Sequence, residues 1–206
     1  MIILDCEQGS DEWHEARMGI VTGTGYGNIL TPGTMKKSAS SVPYMAKLLA
    51  EYITGEQQEK FSTVDTERGN ELELVAGRMY EAITGNTIES VGLVYRDEAR
   101  DRACSPDGLI MDRAKGLEIK CPQLKTHIGY VLKNALPNDY KLQVHGCMYV
   151  CDVDSWDFMS FHPEFRPLLL TVERDEKIDS AIHSAVDSFC STLADEKAKI
   201  DASRKF

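Results

Sequence analysis

The sequence predicts a mixed α/β fold in which a central mixed β-sheet is flanked by α-helices. Three observations carry this expectation: helical apolar spacing early in the chain, a cluster of short alternating segments in its middle, and a helix–strand–strand–helix order after it. Residues 31–41 are rich in turn formers and read as a flexible loop. A helix is expected after Pro43, with Leu48, Leu49 and Tyr52 on one face and Gly55 as its stop. A second helix is expected from Asp65 to Thr84, where Leu72, Ala76, Met79, Tyr80 and Ile83 recur at spacings of three and four before Gly85 ends it. Ile88 to Tyr95, Ala103 to Ile110 and Gly116 to Cys121 then read as short strands between charged turns. Helical spacing returns from Asp139 to Val150 through Leu142, His145, Gly146 and Tyr149. Trp156 to Phe161 and Leu168 to Val172 are apolar runs of strand length. From Lys177 to Ile200, Ile178, Ile182, Val186, Phe189 and Leu193 form the buried stripe of an amphipathic helix.

The bulk numbers bound the class. A chain of 206 residues with 42% hydrophobic and 27% charged residues suits one globular domain spanning residues 1–206. No apolar run approaches the roughly 20 residues that cross a bilayer. The first residues lack the basic start and long apolar stretch of a secretory signal, so a cytoplasmic protein is expected. Six cysteines occur without a Cys-x-x-Cys pair, which argues against structural zinc. Cys147 and Cys151 lie one helical turn apart and have the spacing to share a metal, but buried thiols acting as small hydrophobes are the simpler reading. Taken alone, the net charge of −10 opposes nucleic-acid binding. Its distribution matters more: residues 96–141 hold nine basic and seven acidic side chains, whereas the remainder holds 14 basic and 26 acidic. The middle of the chain is therefore compatible with a basic cleft on an acidic body.

That middle segment carries the informative motif, Cys104-Ser-Pro-Asp-Gly followed by Leu117-Glu-Ile-Lys-Cys-Pro. Alternation along a strand puts Glu118 and Lys120 on one face and turns Ile119 into a core. A hairpin-like pairing brings Asp107 beside Glu118. Apposed carboxylates repel and are stabilised by a cation between them, and hard oxygen ligands favour Mg²⁺, with Mn²⁺ as substitute. Such an ion activates water and polarises a phosphodiester, while Lys120 orients the water, stabilises developing charge, or relays a proton. For so degenerate a motif, a solvated hairpin with a surface Glu118–Lys120 pair is the plain alternative.

Several ordered blocks go further than the motif alone. Asp107…Glu118-Ile-Lys120 resembles the core of the restriction-endonuclease-like nucleases. More narrowly, the chain resembles the phage lambda exonuclease and YqaJ-type viral recombinase family. The blocks are Glu7-Gln-Gly-Ser-Asp-Glu-Trp-His-Glu-Ala-Arg-Met-Gly-Ile-Val-Thr, Arg68-Gly-Asn-Glu-Leu-Glu, Tyr95-Arg-Asp-Glu, the two catalytic segments, Leu142-Gln-Val-His and Val172-Glu-Arg-Asp-Glu-Lys.

The resemblance implies a restriction-endonuclease-like core and a 5′-to-3′ exonuclease that digests one strand of linear duplex DNA to leave 3′ overhangs. It also implies a phage or prophage protein of a bacterial host, a ring-shaped homotrimer, and a single-strand annealing recombinase as partner. Carried over by residue, Asp107, Glu118 and the Ile119 carbonyl are implied metal ligands in what is expected to be a two-metal site, with Glu73 nearby. Lys120 is the implied catalytic lysine, and Gln143 lies near the centre. Arg17, Thr24 and Ser105 are implied to hold a terminal 5′ phosphate, which suits a bidentate arginine with hydroxyl donors. Thr24 stands where the family usually has serine, keeping the hydroxyl and adding a methyl. Tyr140, His145, Lys36 and Lys37 are candidates for DNA contact. The alternatives are a restriction- or repair-type endonuclease on the same core, and a non-catalytic DNA-binding protein, against which the intact Asp, Glu and Lys argue.

Overall fold

The computed structural model describes residues 1–58 and 64–204. Eight strands occur among them: β1 Ile2–Leu4, β2 Val21–Thr22, β3 Leu93–Tyr95, β4 Arg102–Cys104, β5 Gly108–Ile110, β6 Lys115–Lys120, β7 Ser155–His162 and β8 Phe165–Glu173. The helices are α1 Asp11–Arg17, α2 Tyr26–Ile29, α3 Ser41–Thr54, α4 Val64–Thr84, α5 Leu124–Lys133, α6 Asn138–Cys151 and α7 Glu176–Ser203. Among the described residues, no helix is long and apolar enough to cross a membrane.

The expected mixed α/β architecture is present, with its strands divided between two mixed four-stranded sheets. One has the order β1-β3-β4-β2, with β2 parallel to β4 and the other pairs antiparallel. The second has the order β5-β6-β7-β8, with β6 parallel to β7 between two antiparallel pairs. The segment read as one strand from Ala103 to Ile110 is what divides them: β4 ends at Cys104 in the first sheet and β5 begins at Gly108 in the second. Pro106 between them has no N–H to continue a ladder.

Helix α6 packs between the sheets and α7, and every residue from Val144 to Cys151 is buried. It approaches closely enough that a Cβ on Gly146 would lie 2.4 Å from the Tyr26 ring. A similar contact occurs at Gly116, where a Cβ would lie 2.2 Å from the Trp156 ring across the β6–β7 pair. The stripe read in α7 is buried as expected, with Ile178, Ile182, Val186, Phe189 and Leu193 all in the main core. Cys104, Cys147, Cys151 and Cys190 are free thiols buried in that core, with the Cys104 and Cys151 sulfurs 3.6 Å apart. They pack as small apolar groups.

Other expectations change with the packing. In α4, Ala76 and Tyr80 face the sheet, but Met79 and Ile83 on the adjoining ridge are exposed. The loop of residues 31–41 is tied down: Thr31 N–H donates to the Lys36 carbonyl, and Ser38 N–H donates to the Ile29 carbonyl, both at 2.9 Å.

Candidate active site

The site grows from the β5–β6 hairpin. Gly108 pairs with Leu117 and Ile110 with Lys115, and the Asp107 N–H donates to the Leu117 carbonyl at 3.1 Å. Asp107 therefore sits just beyond the ladder, across from Glu118. Its Oδ2 accepts a hydrogen bond from the Ile119 N–H, which fixes the carboxylate against β6. Alternation sends Leu117 and Ile119 into a small core with Ala76, Tyr80, Met159 and Phe161. Glu118 and Lys120 point to the opposite face, where Gln143 of α6 meets them.

Glu118 is 1% exposed. Its Oε1 receives the Gln143 Nε2 donor at 2.6 Å and the Lys120 ammonium, while Oε2 has no hydrogen-bond partner. Burial, followed by the nearby Glu118 charge, holds the Asp107 carboxyl well above the usual carboxylate range. Burial also raises Glu73, and Lys120 and Glu118 pull it in opposite directions. For Lys120, burial acts to lower the pKa, but Glu118 and Asp107 outweigh it and hold the ammonium above its ordinary value. One lysine thus faces Asp107, Glu118 and Glu73, an arrangement short of positive charge.

The donor chemistry fits a hard divalent cation. Asp107, just before β5, and Glu118 on β6 offer carboxylate oxygens, and the unpartnered, buried Glu118 Oε2 is an acceptor with its desolvation uncompensated. Among the described residues, no three His, Cys, Asp or Glu side chains converge on one point. Main-chain and solvent oxygens would complete the shell of an ion there, as Mg²⁺ commonly requires, with Glu73 beside the pair.

A second polar pocket lies next to this one. Ser105, two residues before Asp107, accepts hydrogen bonds from Arg17 Nη1 and Trp13 Nε1, each at 2.9 Å. The Arg17 guanidinium lies 4.0 Å from the Trp13 ring centroid, a spacing that follows from their positions one turn apart on α1. Arg17 and Thr24 line a cavity of about 170 Å³ with His14, Asn28 and Lys47. Burial lowers the Arg17 pKa, the mark of a cation held largely out of water.

The structure thus brings Asp107, Glu118, Lys120, Gln143 and Glu73 together, and sets Arg17, Ser105 and Thr24 beside them. Tyr140 also belongs here, its ring 5.5 Å from the Lys120 ammonium. His145 does not: two residues beyond Gln143 it faces away on α6, is 5% exposed, and has Lys141, Asp175 and Asp179 as its charged neighbours. It reads as a core histidine. Lys36 and Lys37 are exposed on the α2–α3 loop, and Lys37 borders an apolar groove between α3 and α7 rather than the carboxylates. Trp13 received no role from the sequence, although its i, i+4 spacing to Arg17 was visible. Gln8 and Arg68 also reach the site's backbone, and only long-range contacts show it.

Residues 12–154 match the family model of the YqaJ-like viral recombinase domain. No curated protein matches the chain. Among solved structures, the alkaline exonuclease LHK-Exo from Laribacter hongkongensis superposes with a TM-score of 0.83 at 29% identity, covering 95% of this chain and 98% of that one. LHK-Exo in complex with dAMP aligns at 30% identity with the same TM-score and coverage. A phage-related exonuclease from Haemophilus somnus 129PT shares the fold at 17% identity, with a TM-score of 0.65 and 86% and 96% of the two chains covered. The matched span runs from α1 to just past α6 and contains both halves of the site, and the chain belongs to the YqaJ-like viral recombinase domain family.

Proposed function

We propose that this protein is a Mg²⁺-dependent 5′-to-3′ exonuclease that digests one strand of linear duplex DNA and leaves 3′ single-stranded overhangs. One observation carries the reading: Ser105, which accepts from the half-buried Arg17, lies two residues before Asp107 of a carboxylate pair short of positive charge. A site for cleaving a phosphodiester therefore adjoins a site for gripping a phosphate. The dAMP complex of the Laribacter relative is in keeping with release of mononucleotides.

Asp107 and Glu118 would hold the ion, Mn²⁺ serving in place of Mg²⁺, with the Ile119 carbonyl as a further donor and Glu73 as the nearest carboxylate for a second ion. The bound ion supplies water activation and charge neutralisation at the scissile phosphate. The remaining work falls to the side chains. Gln143 occupies Glu118 Oε1 and leaves Oε2 as the unpartnered oxygen for the ion. Lys120, its ammonium against Glu118 Oε1, is placed to orient water and stabilise developing negative charge. Arg17, Ser105 and Thr24 bind the terminal 5′ phosphate. A monoester end carries more than one negative charge near neutral pH and an internal diester one, so a fixed guanidinium favours the end and sets the polarity.

The same reading takes in a ring of three copies and a single-strand annealing partner. The exposed Val75, Met79 and Ile83 along α4 offer apolar surface for subunit contact. The test is digestion of linear duplex with one labelled 5′-phosphorylated end, alongside a closed circle, in Mg²⁺ and in chelator. Loss of the labelled strand in Mg²⁺, with the complementary strand and the circle intact, is the expected result. Cutting of the circle would favour the endonuclease alternative, and digestion unaffected by chelator would remove the metal.

A further inference from the structure

The hairpin that carries Asp107, Glu118 and Lys120 is held at both ends by side chains distant in sequence. At the exit from β6, Arg68 of α4 donates from Nη1 to the Cys121 carbonyl at 3.0 Å and from Nη2 to the Pro122 carbonyl at 3.2 Å. At the entry, the side chain of Gln8 performs the matching task. Its Nε2 donates to the Pro106 carbonyl at 2.8 Å and to the Val91 carbonyl at 2.9 Å, so both amide protons are used.

The entry end has special need of such a bond. Pro106 lacks an N–H, so its carbonyl is the one main-chain group by which this residue can be hydrogen-bonded. Asp107 follows directly, and its Oδ2 must meet the Ile119 N–H to stay against β6. Movement of the Pro106 peptide would therefore displace the carboxylate. Gln8 reaches the peptide because Gly9 behind it adopts φ +86°, a left-handed turn that redirects the chain into α1. Residues 8–17 consequently grip Ser105-Pro-Asp107 at separate points, Trp13 and Arg17 at the serine hydroxyl and Gln8 at the proline carbonyl.

We propose that Gln8 is a positioning residue for Asp107: its amide staples the Pro106 carbonyl to the strand-leading segment at Val91 and sets the separation of the two carboxylates. This inference rests on the nuclease reading above. Its effect falls on the cation and on the chemical step, whereas the Arg17 pocket keeps its own contacts.

The test compares the full chain with Gln8→Ala and Gln8→Glu. In Gln8→Ala, Mn²⁺ affinity by calorimetry and single-turnover rate at saturating duplex should each fall about 10- to 100-fold. KM for duplex, the preference for 5′-phosphorylated over 5′-hydroxyl ends, and the melting temperature should stay at wild-type values. Gln8→Glu should lose at least as much, since a carboxylate has no proton to donate and repels both carbonyls. Hydrogen–deuterium exchange of the metal-free protein should rise over residues 105–110 in both variants. Wild-type Mn²⁺ affinity and rate in the two variants would overturn the proposal, as would a loss that merely follows melting temperature and end preference together. A wild type that neither binds Mn²⁺ nor cuts would instead defeat the nuclease reading, and the exchange measurement still decides whether Gln8 holds the segment.

Discussion

Lys120→Ala is expected to reduce single-turnover cleavage by about a hundred- to a thousand-fold while leaving affinity for duplex DNA near the wild-type level. The ammonium sits on Glu118 Oε1, with its charge held by both carboxylates, so it is fixed in place before negative charge develops on the phosphate. Removing it takes away an interaction that strengthens in the transition state, and the loss should appear in rate rather than in binding. The same substitution has a structural signature. Lys120, together with the Ile119 N–H, opposes the rise in the Asp107 pKa caused by burial and by Glu118. Without it, the metal-free variant should melt at a lower temperature, and added Mg²⁺ should recover part of the difference by supplying the missing positive charge. Lys120→Arg should recover stability better than rate, because a planar guanidinium presents its donors differently from a compact ammonium. Wild-type cleavage by a clean Lys120→Ala preparation would defeat the catalytic assignment.

Arg17→Ala should abolish the preference for 5′-phosphorylated over 5′-hydroxyl ends. Truncating one side of a partly buried charged hydrogen bond costs about 2–3 kcal/mol or more, which converts to roughly 30- to 150-fold in activity on phosphorylated ends. Activity on hydroxyl ends should change little, so the ratio between the two substrates is the quantity to measure. Arg17→Lys should restore only part of the ratio: it keeps the charge but loses the fork that reaches Ser105 and the plane that stacks on Trp13. An unchanged ratio in Arg17→Ala would place the end-recognition site elsewhere.

The β5–β6 hairpin was legible because its determinants are local. The Pro-Asp-Gly turn and the two-residue alternation of Glu118 and Lys120 together specify register and facing, and the pairing of Gly108 with Leu117 follows them. The long amphipathic helix α7 was legible for the same reason, since one periodic stripe meets one core. Failures occurred where distant partners decide. Helix α5 was not anticipated; the Ser160 hydroxyl and the Arg166 carbonyl, 2.8 and 3.0 Å from the ring nitrogens of its buried His127, anchor it. Helix α1 was also missed as an element, although Ser10 caps it by accepting from the Trp13 N–H and Asp11 and Glu12 fill its first turn. At seven residues it is too short for periodicity to stand out. Met79 and Ile83 of α4 fit a helical apolar pattern but sit at its margin, and only the position of the sheet shows that they remain exposed. Gln8 acts across 98 positions of sequence, so no local pattern can reveal its contact with Pro106.

Whether Asp107 and Glu118 form a divalent-cation site is decided by titrating Mn²⁺ calorimetrically into the wild-type protein, Asp107→Asn and Glu118→Gln. Saturable binding to wild type is expected, lost or greatly weakened in both variants, with the fold retained. Equal binding by all three proteins, or no binding by wild type, would contradict it.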